Sequence, residues 1–374
     1  MAQTMQRLAA ALLVTSSVLL HGCAREDATS TSSSSPLSEV PPIGAAPAGD
    51  VLRPGHLGRT SGDLMRMIHF YHEVLGTDLM GSNETPQFFS SQPLIDFVSS
   101  PPQSEFRAIN MPIPGTSPQP SASPEMVVEV IEFRNIDRHQ HLTRLQDPGV
   151  SNLKLLVRDL DAVVSRLKAE GAPIVTVGGE PISVTPMPGL TGTARAIIVR
   201  DPDGYPVELT ELSPAPQSTA PANSDLVGAH ISLVVNDLDA TLAYYRHLVG
   251  PTLQTWIAPD FATDSDYNTL RNTPNAERRL ATMLIPGANV VMELIQYRGI
   301  DATPYRPVIQ DIGVGHVAFM VKDIDVVMRR LGELGNSTLG RNGSWYNLGP
   351  TTRALYTQDP DGFFIEVMEN QSPP

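Results

Sequence analysis

The chain has one cysteine, Cys23, in 374 residues. An intramolecular disulfide is therefore impossible, and a metal centre built from several thiolates is excluded. Positive charge is also scarce. Lys and Arg number 26 against 40 Asp and Glu, a formal net charge of -14 at pH 7. With no basic stripe to neutralise phosphates, nucleic acid is not an expected partner, although a small anion held at a metal is compatible with this balance. Apolar content is ordinary and the length exceeds what one core usually organises, so two domains plus appended segments are expected.

At the N-terminal end, Arg7 precedes an apolar run from Leu8 to Leu20 that closes on Leu20-His21-Gly22-Cys23. This arrangement resembles a bacterial lipoprotein signal, in which the cysteine becomes the lipidated first residue. Leu20 and Gly22 fit that pattern, while His21 is unusual in it. The resemblance implies an export signal over residues 1–23, lipidation at Cys23 and a place in the cell envelope, with the membrane reached only through the lipid anchor. In a Gram-negative host this is the periplasmic side of a membrane, and Ala24 resembles outer-membrane sorting. An ordinary cleaved signal peptide or a short apolar anchor is the alternative. Two or more lipid chains would hold the protein durably on a membrane surface. Residues 24–52, rich in Ser, Pro, Thr and Ala and without periodicity, read as a flexible tether.

The remainder repeats itself. FYHEVLG (70–76) sets against YYRHLVG (244–250), VVEVIEFRNID (127–137) against VMELIQYRGID (291–301), and RDPDGYPVEL (200–209) against QDPDGFFIEV (358–367). The stretch SPAPQSTAPANSD at 213–225 separates the halves and reads as a linker between domains at 53–212 and 226–370. Each half repeats internally, giving four strand-then-helix units that begin near His56, Asn152, His230 and His316. The helices have apolar faces at spacings of three and four, such as Leu160, Val163, Val164 and Leu167, or Ile324, Val327, Leu331 and Leu334. Asp159, Asp161, Asp237, Asp239, Asp323 and Asp325 cluster at their starts, and Gly76, Gly171, Gly250 and Gly335 end them. Asp-Pro-Asp-Gly at 201–204 and 359–362 predicts a tight turn between strands.

Alternate residues of a strand share a face. In HISLVV (230–235), His230 therefore stands opposite the apolar Ile231, Leu233 and Val235; in HVAFMV (316–321), His316 stands opposite Val317, Phe319 and Val321. Glu293 and Glu366 are carboxylates inside runs otherwise fit for a core, and each needs a cation or strong donors. Two neutral imidazoles and two carboxylates facing one cavity would hold a divalent ion such as Zn, Ni, Co, Mn or Fe. Each alone is unremarkable, since a strand histidine is most often a hydrogen-bonded structural residue. Four at equivalent places of repeated units is a stronger signal.

The segments HISLVVNDLDATLAYYRHLVG (230–250) and GVGHVAFMVKD (313–323) resemble the signature segments of glyoxalase I and the wider vicinal-oxygen-chelate superfamily. The resemblance implies an α+β fold of two tandem domains, each of paired βαβββ units curling into a cup-shaped sheet. It also implies metal ligands on the first and last strands of the units, which in the C-terminal domain are His230, Glu293, His316 and Glu366. The N-terminal domain departs from the pattern, with His56, Glu129, Asn152 and Glu208 at the four positions, an incomplete set. Lys154 shares a face with Asn152 where the other copy has Ala318, so its ammonium either pairs with Glu129 or Glu208 in place of an ion or reaches out to solvent. Members of the superfamily also exchange units between cups. With exchange, the complete set becomes His56, Glu129, His316 and Glu366; without it, which is the expectation here, the set is the C-terminal one.

Three activities accord with this resemblance. The first is metal-dependent lyase or isomerase chemistry on a small molecule with vicinal oxygens, of the lactoylglutathione lyase kind, with Glu366 or Glu293 moving the proton. The second is Fe(II) extradiol dioxygenase chemistry, for which a fourth protein ligand leaves few open positions. The third is non-catalytic binding of the bleomycin-resistance type, against which a full ligand set argues. Export weakens a glutathione conjugate as substrate. The expected assembly is a monomer acting as a pseudo-dimer, or a homodimer. Arg195 and Arg353, at matching places before the Asp-Pro-Asp-Gly turns, either bind an anionic substrate or form structural ion pairs. His69, His72, His139, His141 and His247 fall on helix or loop positions.

Overall fold

A computed structural model describes residues 50–81, 86–119, 125–250 and 253–371; the lipoprotein-like segment with Cys23 and nearly all of the tether lie outside the described residues. No helix among the described residues is long and apolar enough to cross a membrane.

Four units follow one another along the chain. The first has strands β1 (Val51–Ser61), β2 (Glu105–Pro112) and β3 (Val127–Arg134), and the second β4 (Ser151–Val157), β5 (Ile182–Val184), β6 (Thr193–Arg200) and β7 (Pro206–Ser213). The third has β8 (Leu226–Val235), β9 (Gln254–Ile257), β10 (Ala262–Thr263), β11 (Glu277–Ile285) and β12 (Val290–Arg298), and the fourth β13 (Gly315–Val321), β14 (Tyr346–Asn347), β15 (Thr352–Gln358) and β16 (Phe364–Asn370). After the leading strand of each comes a helix: α1 (Leu64–Ile68, continued by a π-helical turn His69–Val74), then, past the short α2 (Gln92–Phe97), α3 (Leu160–Ala169) and α4 (Leu238–Val249), and, past α5 (Ser265–Arg271), α6 (Ile324–Glu333).

The helix starts follow from local chemistry. Asp63, Asp159, Asp237 and Asp323 have extended backbones and accept from N–H groups two or three residues on, satisfying amides that the helix itself leaves free. Asp161, Asp239 and Asp325, within the first turn, pair instead with Arg195, Arg279 and Arg353. Gly171 and Gly335 take φ values of 70° and 68° just past α3 and α6, a left-handed conformation that glycine adopts without a Cβ clash. The buried stripes are as expected except at Leu334, which is 37% exposed.

The sheets pair the outer units with each other and the inner units with each other. One sheet runs β14-β15-β16-β13-β1-β3-β2, the other β10-β11-β12-β8-β4-β7-β6-β5, with β9 on β11. Within a unit the leading strand is parallel to a later one, as β1 is to β3 and β13 to β16. Between units the leading strands meet antiparallel, β1 with β13 and β4 with β8. Each curled sheet is thus one cup of the tandem α+β fold, but the segment 213–225 joins two units that share a sheet. The largest apolar cluster among the described residues, with Leu57, Leu153, Ile231 and Val317 from the four leading strands and Val163, Leu242 and Val327 from the helices, lies behind both cups. Burial on this scale supplies the main favourable term for folding.

Polar groups fasten the arrangement. Arg59, fully buried, donates to Asp201 Oδ2 at 3.1 Å and to the Gly313 carbonyl at 2.7 Å, and it stacks on Tyr205. Tyr71 donates to the same carboxylate at 3.0 Å. The other Asp-Pro-Asp-Gly turn is held similarly, with Tyr245 donating to Asp359 at 3.1 Å and Thr241 to Asp361 at 3.0 Å. In both turns the first aspartate also accepts backbone amides, those of Asp203 and Tyr205 or of Asp361 and Phe363.

Candidate metal centre

The pairing of units divides the expected C-terminal quartet. His316 and Glu366, on β13 and β16, face the cup shared with β1 and β3, while His230 and Glu293, on β8 and β12, face the cup shared with β4 and β7. The residues brought together are His56, Glu129, His316 and Glu366, the set that unit exchange produces. All four are buried, and one donor atom from each lies within 4.8 Å of the other three. Four consecutive strands of one sheet, β16, β13, β1 and β3, supply them, and strand alternation aims all four side chains the same way.

His56 Nε2 lies 2.8 Å from Glu366 Oε2 and 3.4 Å from Glu129 Oε2. His316 Nε2 lies 3.5 Å from Glu366 and 3.8 Å from Glu129, and 3.0 Å from His56 Nε2. The Tyr356 hydroxyl is 2.9 Å from His316 Nε2. Gly58 is the neighbour of both His316 and Glu129 in the strand register, and a Cβ placed on it would come within 1.7 Å of His316 Cε1. The imidazole lies over this glycine, in space any side chain would fill.

The electrostatics are those of a tightly coupled group. Burial would push the His56 imidazole down, but the carboxylates of Glu129 and Glu366 outweigh it and raise the group to about 9. Burial would raise Glu366, yet the charge of His56 and hydrogen bonds from both histidines hold it at about 2. Glu129, less closely engaged, is raised by burial to about 7, against the pull of His56. His316 is lowered, chiefly by burial. Two nitrogens and two carboxylate oxygens converging in a buried, glycine-floored recess fit a divalent ion of the Zn, Ni, Co, Mn or Fe type. Beside them is a small, mainly apolar cavity lined by Phe97, Phe106, Phe133 and Tyr356 together with both glutamates.

In the other cup His230, Glu293, Asn152 and Glu208 occupy the equivalent places. Lys154 fills its centre, with Nζ 2.7 Å from Glu293 and 3.5 Å from Glu208, where the first cup has Ala318. The expected ammonium pairing is thus made with Glu208 and Glu293, while Glu129 lies in the first cup, and Lys154 does not reach solvent. Arg271, fully buried, lies 3.7 Å from Glu208 and donates to Asn152 Oδ1 at 3.1 Å. Burial would raise Glu293, but Lys154, with hydrogen bonds from it and from Ser232, keeps it at about 2. The carboxylates have their counter-charges in protein cations, so this set does not fit a metal ion. The role expected of Glu293 as proton carrier at the metal is corrected accordingly.

Arg195 and Arg353 form ion pairs, with Asp161 and Glu211 and with Asp325 and Glu369, away from either cup. His69, His139, His141 and His247 pair with carboxylates outside the cups, and His72 with the Thr77 carbonyl. Gly58, Tyr356, Tyr267 and Arg271 were not singled out from sequence. The repeat itself carried a signal for Gly58, since it aligns with Ser232 two residues after the leading histidine. Nothing local marked Arg271 or Tyr356.

Two family models, both described as the Glyoxalase/Bleomycin resistance protein/Dioxygenase superfamily, match residues 53–209 and 229–348. A putative lactoylglutathione lyase of Brassica oleracea var. gemmifera is 23% identical over 325 residues, covering 87% of this chain and 94% of the relative. The lactoylglutathione lyase of Escherichia coli O157:H7 is 27% identical over 150 residues, 40% of this chain and 85% of that protein. Among solved structures, glyoxalase I from Zea mays aligns with a TM-score of 0.52 at 20% identity, over 85% of this chain and 92% of the other. A putative dioxygenase from Bacillus subtilis subsp. subtilis str. 168 aligns with a TM-score of 0.53 at 12% identity, over 87% of each chain. Both structures share the fold.

Proposed function

The chain belongs to the Glyoxalase/Bleomycin resistance protein/Dioxygenase superfamily, and from that premise we propose that it is a metal-dependent lyase or isomerase acting on a small molecule with vicinal oxygens. The observation that carries this reading is the convergence of His56, Glu129, His316 and Glu366 within 4.8 Å in a buried recess. A bound divalent ion would supply Lewis-acid polarisation of a substrate carbonyl, which acidifies the neighbouring C–H bond.

The remaining work falls to the chain. His56, His316 and Glu366, with His56 Nε2 at 2.8 Å from Glu366 and 3.0 Å from His316 Nε2, form the fixed part of the ligand set. Both glutamates line the adjoining cavity, but Glu129, at 3.4 and 3.8 Å from the two imidazoles, is held less closely than Glu366, at 2.8 and 3.5 Å, so its carboxylate is the group placed to take a proton from substrate and return it. The phenyl rings of Phe97, Phe106 and Phe133 on the cavity wall exclude water from the transferred proton and give the substrate body an apolar bed. Tyr356 orients His316 through its hydroxyl.

Four protein donors would leave a six-coordinate ion only two free positions, which favours proton transfer over dioxygen chemistry. A full donor set likewise favours catalysis over passive binding. On the signal-like residues before Cys23 we place this activity in the cell envelope with a lipid anchor, where the substrate need not be a glutathione conjugate. The test is elemental analysis of protein purified without chelator, followed by hemithioacetal isomerisation and catechol cleavage assays. Stoichiometric divalent metal with isomerase turnover is the expected result. Bound iron with catechol turnover would replace this reading by the dioxygenase one, and absence of stoichiometric metal would overturn both.

A further inference from the structure

The second cup contains a cavity that the metal chemistry of the first does not use. It measures about 210 Å³, against about 40 Å³ for the cavity beside the metal centre. Its floor is Lys154, Glu208, His230 and Glu293, and Trp256 and Leu280 are among its walls. A neighbouring cavity of about 400 Å³ shares His230, Leu156, Leu190 and Leu212 with it, so the two together offer room for an elongated apolar body.

The hydrogen-bonding groups of this floor are unequally satisfied. Lys154 and Arg271 balance Glu293 and Glu208, and Arg278 has Asp264 at 3.0 Å. The charges are therefore compensated within the protein, and a charged guest would find no counter-ion, although Glu208 Oε2 and Arg278 Nε have no hydrogen-bond partner among the described residues. His230 is the neutral member of the floor. Its Nδ1 accepts from the Val291 amide at 3.2 Å, and burial together with the Lys154 ammonium pushes the imidazole down to about 3, so the ring is neutral and its proton sits on Nε2. Among the described residues, that buried Nε2–H has no acceptor, and the buried Tyr267 hydroxyl on the same cavity has no hydrogen-bond partner either. Buried donors without acceptors cost about 1–3 kcal/mol each, a penalty that an incoming acceptor removes.

The geometry points to a metal-independent binding site in the second cup for a small, uncharged, largely apolar carbonyl compound, whose oxygen accepts from His230 Nε2 and the Tyr267 hydroxyl. The apolar walls take up its hydrocarbon part, and the internally paired charges of Lys154, Glu208, Glu293 and Arg271 fix the floor without competing for it. This inference does not depend on which reaction the first cup performs.

The experiment uses the full chain carrying Trp345→Phe, which leaves Trp256 as the remaining one of the 2 tryptophans and hence a reporter inside the cavity. Acetophenone is titrated while tryptophan emission is followed, with cyclohexanone as competitor and ethylbenzene and benzoate as probes lacking a neutral carbonyl. The expected result is saturable quenching by acetophenone, relieved by cyclohexanone, with ethylbenzene and benzoate weaker by about tenfold or more, the loss of about one good hydrogen bond. Tyr267→Phe removes a single oxygen and is expected to weaken acetophenone by about tenfold, as is His230→Phe, both without change in metal content. Metal retained in the first cup shows that each variant is folded. Absence of saturable quenching, equal affinity for ethylbenzene, an unchanged affinity in Tyr267→Phe, or a second equivalent of metal that disappears in His230→Phe would each overturn the inference.

Discussion

Gly58 lies beneath the His316 ring, so close that a Cβ would come within 1.7 Å of Cε1, and the same glycine is the register neighbour of Glu129 on its other side. A ligand from the fourth unit is therefore seated by the absence of a side chain in the first. In the second cup the equivalent residue is Ser232, flanked by Asn152 and Glu293, and its hydroxyl donates to Glu293 at 2.7 Å. A Cβ and a hydroxyl are accommodated where no imidazole needs the space.

Gly58→Ala is accordingly expected to displace His316. Overpacking a close-fitted interior costs about 1–3 kcal/mol, so the variant should show a lowered urea midpoint together with loss of bound metal. Ser232→Ala, the same methyl in the other cup, should leave metal content intact. Equal metal retention in Gly58→Ala would show that the imidazole does not depend on this floor.

His56→Ala and His316→Ala are expected to lose stoichiometric divalent metal, whereas His230→Ala should keep it, because His230 lies in the other cup as the register neighbour of Lys154. Inductively coupled plasma analysis of the three purified variants decides the point. Metal loss in His230→Ala with retention in His56→Ala would restore the quartet expected without unit exchange.

Lys154 is the buried counter-charge of Glu293 and Glu208, and removing one partner of a buried pair leaves an uncompensated charge. Lys154→Met should therefore destabilise the protein by about 3–5 kcal/mol, and Lys154→Met combined with Glu293→Gln should recover a large part of that. Denaturant unfolding of the four proteins of the cycle measures the coupling. Additive losses would show that the two groups act independently.

Asp359 supplies a pH dependence that lies apart from the ligands. Burial and then the charge of Asp361 raise it to about 7, while Tyr245 and the Phe363 and Asp361 amides offset part of the rise; Tyr244 is the other titratable neighbour. The folded-state value lies above the ordinary carboxylate value of about 3.9, so the folded protein binds this proton more tightly. Stability from the group is present below the unfolded value and is lost as pH rises through the window up to about 7. Asp359→Asn keeps the shape and an accepting oxygen, and should flatten the fall in urea midpoint between pH 5 and pH 8 relative to the parent, these two pH values being chosen to span roughly that window. An identical pH profile in the variant would refute the assignment. Asp201 has the buried Arg59 as partner, so Asp201→Asn breaks an ion pair instead.

The sequence reading of the export segment is checked at Cys23. Expressed in a Gram-negative host, the parent chain should fractionate with membranes and Cys23→Ser with the soluble envelope fraction, because attached chains hold the protein there by about 0.8 kcal/mol per buried methylene. Equal fractionation of the two proteins would remove the lipid anchor and leave an ordinary signal peptide.

Much of this protein is written in short stretches of sequence. The four leading strands, the aspartate caps at Asp159, Asp237 and Asp323, and the Asp-Pro-Asp-Gly turns are legible because hydrophobic period, capping and turn chemistry are decided within a few residues. The inventory of donors was legible as well, because a histidine or glutamate inside an apolar strand must be satisfied by something. Which donors meet was left to the tertiary structure. The leading edges of β1, β4, β8 and β13 offer the same ladder of backbone N–H and C=O groups, and nothing local tells β13 to lie beside β1 instead of β8. That decision rests on contacts between residues far apart in the chain, such as Arg59 with Asp201 and the Gly313 carbonyl. It placed His316 with His56 and left Lys154 to hold the acids of the other cup.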